Sequence, residues 1–196
     1  MASVNNSGVA TSDENVAVTK SLRKLYLVRT VFSFLWFILV AALAKKNACF
    51  ADALLIIYPA WDAIAIYFDT RAHPITTSRT PQYVNAAISG ITTVAVILAL
   101  KKGVAEALMV FGAWAILAGF MQLILGLRRR KTLGGQWPMI VSGGQSMIAG
   151  TAFIVLAHSP SMGIDSLAGY AAFGGLYFLL SAIRLFKANK SRRTND

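Results

Sequence analysis

The sequence predicts an all-α integral membrane protein of six transmembrane helices, arranged as three helical hairpins repeated in the same orientation, with both termini in the cytoplasm. Three observations carry this. Apolar residues dominate while the charges gather in short clusters, the intervals between clusters are long enough to cross a bilayer, and the chain resembles itself at a spacing near 56 residues.

Of 196 residues, 56% are hydrophobic and 14% are charged, against about a quarter charged in ordinary soluble domains. The net charge of +11 can suggest a nucleic-acid partner, since basic side chains neutralise phosphate. Position argues against it. All the Lys and Arg residues except Arg29 lie outside the apolar runs or at their ends, as the charges that orient membrane helices do. The lipid bilayer is therefore the expected partner, and nucleic acid is not. The single cysteine, Cys49, allows no internal disulfide and no cysteine metal set.

A helix crosses a hydrocarbon core of roughly 30 Å with about 20 residues. Uncharged runs of 21, 21, 26 and 18 residues follow Arg79, Glu106, Lys131 and Asp165, and these hold helices three to six. The first span is extended back through Arg29 to about Leu25, and the second, near Ala51 to Phe68, encloses Asp62. The expected hairpins cover about 25–68, 83–126 and 138–186, within a membrane domain at 21–187. Residues 1–20 read as a disordered tail and 188–196 as a basic one. The flanks and even-numbered connections hold 14 Lys and Arg residues, against four (Lys45, Lys46, Lys101, Lys102) on the opposite side. Both termini are thereby placed in the cytoplasm.

Repeats of fixed period reveal the building unit. Trp61, Trp114 and Tyr170 align at offsets of 53 and 56 in the even helices. Ser33, Ser89 and Ser146 align at 56 and 57 in the odd ones, where Arg29 matches Asn85 and Ser142. Small residues mark close packing, because lipid supplies no hydrophobic drive between helices. Gly112, Gly119 and Gly126 stand one heptad apart on helix four, and Ser142, Ser146 and Gly150 form a small-residue face on helix five. Such faces also offer a route to a homo-oligomer.

The run FGAWAILAGFMQLILGLRRR (Phe111 to Arg130), then Gly134-Gly135-Gln136-Trp137-Pro138, then LAGYAAFGGLYFLLSAIRL (Leu167 to Leu185) resembles the HdeD-like family of small bacterial membrane proteins built on two-helix units. The likeness covers the last 110 residues or so. It implies a bacterial inner-membrane protein tied to acid or other stress, and it carries no catalytic residues to transfer.

Asp62 is the sharpest single residue, because an acid inside a span is costly and faces a partner or a wet cavity. Pro59, three residues earlier, leaves the Leu55 carbonyl without its helical donor. At about 1.5 Å per residue, Arg29 and Asp62 lie roughly 6 and 9 Å from the same boundary. They are thus a candidate ion pair across the first hairpin or a proton site, while Arg29 can instead snorkel to the headgroups. His158 and Asp165 flank an outer loop, where a solvated histidine is the ordinary outcome. No nucleophile set, metal-binding motif or phosphate loop stands in a usable context, so no cofactor is expected. The expected function is non-enzymatic, a stress-tolerance membrane protein of the HdeD-like kind. The alternative is a small transporter or proton/ion-conducting protein using Asp62 and Arg29.

Overall fold

The computed structural model describes residues 6–72, 80–131 and 136–193, and among them there are helices and turns but no strand. The helices are α1 (Asn6–Leu43), α2 (Ala48–Ala72), α3 (Thr80–Leu100), α4 (Val104–Arg129), α5 (Trp137–Val155) and α6 (Leu167–Arg193), with a 3-10 turn at Ile164–Ser166 before α6. Six segments, Thr19–Leu43, Ala48–Tyr67, Thr80–Leu100, Val104–Arg129, Trp137–Val155 and Ile164–Lys187, are long and apolar enough to cross a membrane. The protein is therefore read as multi-pass. Large aliphatic side chains such as Val31, Ile91, Ile148 and Val155 point outward, and a bundle apolar both inside and outside is suited to lipid.

The first and last helices run past their expected spans. Residues 6–20 continue α1, and the helix of the last span runs on to Arg193. Once a span is helical each added residue gains a hydrogen bond with no new nucleation cost, and neither extension contains a proline. Residues 1–5 and 194–196 lie outside the described residues, as do 73–79 and 132–135, which include Arg79, Gly134 and Gly135 of the sequence argument.

Local chemistry sets the helix ends. The Asn47 side-chain oxygen accepts from the Cys49 amide at 2.9 Å and the Phe50 amide at 3.4 Å, capping the start of α2. Between α3 and α4 the turn passes through Gly103 at φ 150°, a conformation that a Cβ makes strained. Pro138 sits in the first turn of α5, where a missing N–H costs nothing.

The helices form a closed ring in which each packs on its neighbours in sequence and α6 returns to α1. The broadest interfaces are α4 with α5, α1 with α6 and α2 with α3, so helices of different expected hairpins meet more extensively than the two members of one. On α4, a Cβ at Gly112 would meet the Gly150 carbonyl at 2.5 Å, and one at Gly119 would meet the Gly143 carbonyl at 2.7 Å. Gly126 lies against Ile140. The small-residue faces of α4 and α5 are thus spent inside the chain, and a homo-oligomer through these same glycines would have to separate α4 from α5. At the turns remote from the termini, His158 is exposed and Asp165 pairs with Lys45 at 3.1 Å, a solvated pair of little energetic weight.

Candidate functional site

Facing stripes of side chains build the interior. On α1, Leu22, Tyr26, Ser33, Trp36 and Val40 are buried and Arg29 is nearly so, spaced alternately by four and three residues so that all lie on one face. Leu55, Tyr58, Asp62 and Ile66 do the same on α2. On α3, Gln82, Asn85 and Ser89 stand at i, i+3 and i+7, a polar stripe on a helix otherwise rich in Val, Ile and Ala.

Arg29 and Asp62 meet. Arg29 Nη2 lies 2.7 Å from Asp62 Oδ1, with the two side chains 16% and 10% exposed. The other carboxylate oxygen, Oδ2, accepts a hydrogen bond from Ser89 Oγ at 2.7 Å, and Ser89 Oγ in turn accepts from Trp114 Nε1 at 2.9 Å. Each oxygen of Asp62 therefore has a partner, one a guanidinium and the other a hydroxyl. The Arg29 guanidinium also lies over the Phe178 ring, 5.3 Å from its centroid. Snorkelling to the headgroups is thus replaced by a position inside the bundle.

The pair borders a cavity of about 130 Å³, room for several waters or a small ligand. Its lining runs from a layer of Tyr58, Trp114 and Tyr170 to Leu25 and Arg129, so it occupies the half of the bundle that carries the termini. Beyond that layer the other half is filled by buried Trp36, Val40, Leu55, Leu108, Phe111, Phe153 and Leu167. Tyr58 joins the layer by ring contacts at 5.8 Å to Trp114 and 6.1 Å to Tyr170, and Trp36 Nε1 pins α1 to the Leu54 carbonyl of α2 at 2.9 Å, close to Pro59.

The aromatic register of α2 is corrected by one turn. Trp61, aligned in sequence with Trp114 and Tyr170, instead stacks on Phe32 with centroids 4.7 Å apart, and its indole nitrogen has no partner among the described residues. Tyr58 stands in its place. Ser89 bonds Trp114 and Ser146 bonds Tyr170 at 2.7 Å, and buried Ser33 and Tyr58 stand at the positions 56 residues before Ser89 and Trp114. Matching tryptophan to tryptophan followed residue type. The serine partner instead selects the ring that points inward, and three residues along a helix turns a side chain about 60° away from that direction.

The other expected residues fall in two places. Ser142 and Ser146 line the cavity wall, where Ser146 also donates to the Ala115 carbonyl at 3.1 Å. Gly112, Gly119, Gly126 and Gly150 belong to the α4–α5 contact. Sequence reasoning passed over Gln82, which the polar stripe on α3 signalled, while Gly174, one of the small residues that punctuate helix six, stands 56 residues from Ala118 and 112 from Asp62, at the position equivalent to the acid. No group of three or more His, Cys, Asp or Glu side chains suited to a metal occurs among the described residues. No family model, curated protein or solved structure matches the chain.

Proposed function

We propose that the chain is a non-enzymatic protein of the bacterial inner membrane, built as three repeated hairpins with both termini cytoplasmic, that binds and passes a small solute at the Arg29–Asp62 cavity. The observation that carries this is the cavity itself. A bundle whose only task is to stay folded gains nothing by keeping a void beside a desolvated ion pair, because voids and buried charges both cost stability. The stress-tolerance role implied by the HdeD-like resemblance is compatible with a solute carrier and is proposed with it. Of the two chemistries open to such a site, solute binding is favoured over proton relay. Asp62 holds an arginine and a serine at once, which ties it to the structure, and the void beside it has room for a molecule rather than a proton alone.

The orientation is tested together with the access. In a Cys49→Ser background, Gly174→Cys places a thiol on the cavity wall, where an added Cβ meets nothing nearer than the Tyr58 hydroxyl at 3.8 Å. A membrane-impermeant maleimide is expected to label it in inside-out vesicles and not in right-side-out ones. Labelling from neither side, with full labelling after denaturation, would mean a sealed bundle and end the carrier reading. Labelling from outside alone would reverse the orientation inferred from the 14 to four division of basic residues.

A further inference from the structure

Three polar atoms beside the cavity have no partner among the described residues: Arg29 Nε, Gln82 Oε1 and Asn85 Oδ1. All three residues line the void. As the side chains stand, the three atoms carry almost no accessible surface, so each bears the cost of an unmade hydrogen bond and must turn toward the void to meet a ligand. One is a donor and two are acceptors. The formal charge beside them is already cancelled, since Arg29 is matched by Asp62 at 2.7 Å.

From this inventory we infer that the cavity takes a small uncharged molecule bearing a primary amide or urea group. This rests on the solute-binding reading above. The amide oxygen accepts from Arg29 Nε–H, and its two N–H groups donate to the side-chain oxygens of Gln82 and Asn85, which reach it by rotation about their terminal bonds. A carboxylate could accept from Arg29 Nε–H and from the amide N–H groups of Gln82 and Asn85, but it would bring a net charge beside a pair that is already neutral, and an ammonium would face Arg29 with nothing to accept. Either charged group would also surrender its hydration there. The body of the ligand lies across the void, against the positions where the later hairpins carry Ala118, Ser142 and Gly174 in place of the bulky charged pair. These short side chains make the room, and Tyr58, Trp114 and Tyr170 supply an aromatic floor against which a ring can pack.

Calorimetric titration of the full-length protein in detergent with benzamide, benzoate and benzylammonium, three molecules of one size and shape, tests the assignment. Benzamide is expected to bind saturably and at least tenfold more tightly than either ion. Asn85→Leu, which removes a buried acceptor that has no donor to lose, should keep the fold and weaken benzamide at least tenfold. Gly174→Leu should do the same by filling the void. Benzoate or benzylammonium binding as tightly as benzamide would overturn the amide class. So would benzamide binding undiminished in Gly174→Leu, which would put it elsewhere. Saturable binding by none of the three, with Gly174→Cys still labelled from the cytoplasmic side, would leave a cavity that holds water only and overturn this inference while sparing the carrier reading.

Discussion

Gly112→Leu is expected to keep α4 from docking on α5, and Gly150→Leu to do the same from the other side. At this crossing the two backbones touch. A Cβ at Gly112 would meet the Gly150 carbonyl at 2.5 Å and the Phe153 Cβ at 3.2 Å, and a Cβ at Gly150 would meet the Gly112 carbonyl and the Ile116 amide nitrogen. Flexible side-chain ends could move aside, but carbonyls and amides belong to helices that cannot bend locally without losing their own hydrogen bonds in lipid. Relief therefore requires the helices to part along the broadest interface in the ring. The Ser146 bonds to the Ala115 carbonyl and the Tyr170 hydroxyl would be strained with it. An overpacking cost of about 3 kcal/mol, the upper end of the usual range, is expected because backbone atoms are struck, which lowers the melting temperature in detergent by roughly 10 °C for a chain of this size. Phe120→Ala, on the outward face of the same helix, should shift it by less than about 2 °C. Equal shifts for the three variants would remove the claim that this crossing depends on glycine.

Much of the architecture was legible because lipid makes the pattern coarse. Spans declare themselves by the absence of charge: α3 to α5 begin and end within a few residues of the expected limits, and α6 begins just after Asp165 as expected. Polar chemistry blurred the first two. Arg29 and Asp62 interrupt otherwise apolar runs, and each is tolerated because the other neutralises it. A polar composition says nothing about whether an existing helix will propagate, so the length of α1 and α6 beyond their spans was not legible. A glycine face used within the chain and one used between chains have the same sequence pattern, and only the structure shows that Gly112 and Gly150 meet inside the chain. The aromatic layer needed partners as well as periods. Without the serines at positions 33, 89 and 146, nothing in the sequence prefers Tyr58 to Trp61 as the ring that meets Trp114.

Asp62→Asn alone and Arg29→Gln alone are each expected to lower stability by about 3–5 kcal/mol, the usual consequence of leaving one member of a buried pair uncompensated. The two losses differ in origin. Asparagine can still accept from Ser89, so the Ser89–Trp114 link survives in Asp62→Asn, and the cost is a guanidinium held over Phe178 with no anion in reach. Glutamine at position 29 leaves Asp62 with the Ser89 hydroxyl as its only partner among the contacts described, and surrenders the contact with the Phe178 ring. In the double substitution both formal charges are gone and two amides face each other across the 2.7 Å gap that the pair occupied, able to hydrogen-bond as neutral groups. The double variant should therefore recover at least about 2 kcal/mol relative to the sum of the single losses, a coupling well above the additivity error of about 0.5 kcal/mol for independent sites. Thermal unfolding of the four proteins in one detergent reads this directly. Additive losses would show that the two charges do not stabilise one another, and Asp62 would then have to be explained by a ligand or a proton rather than by Arg29.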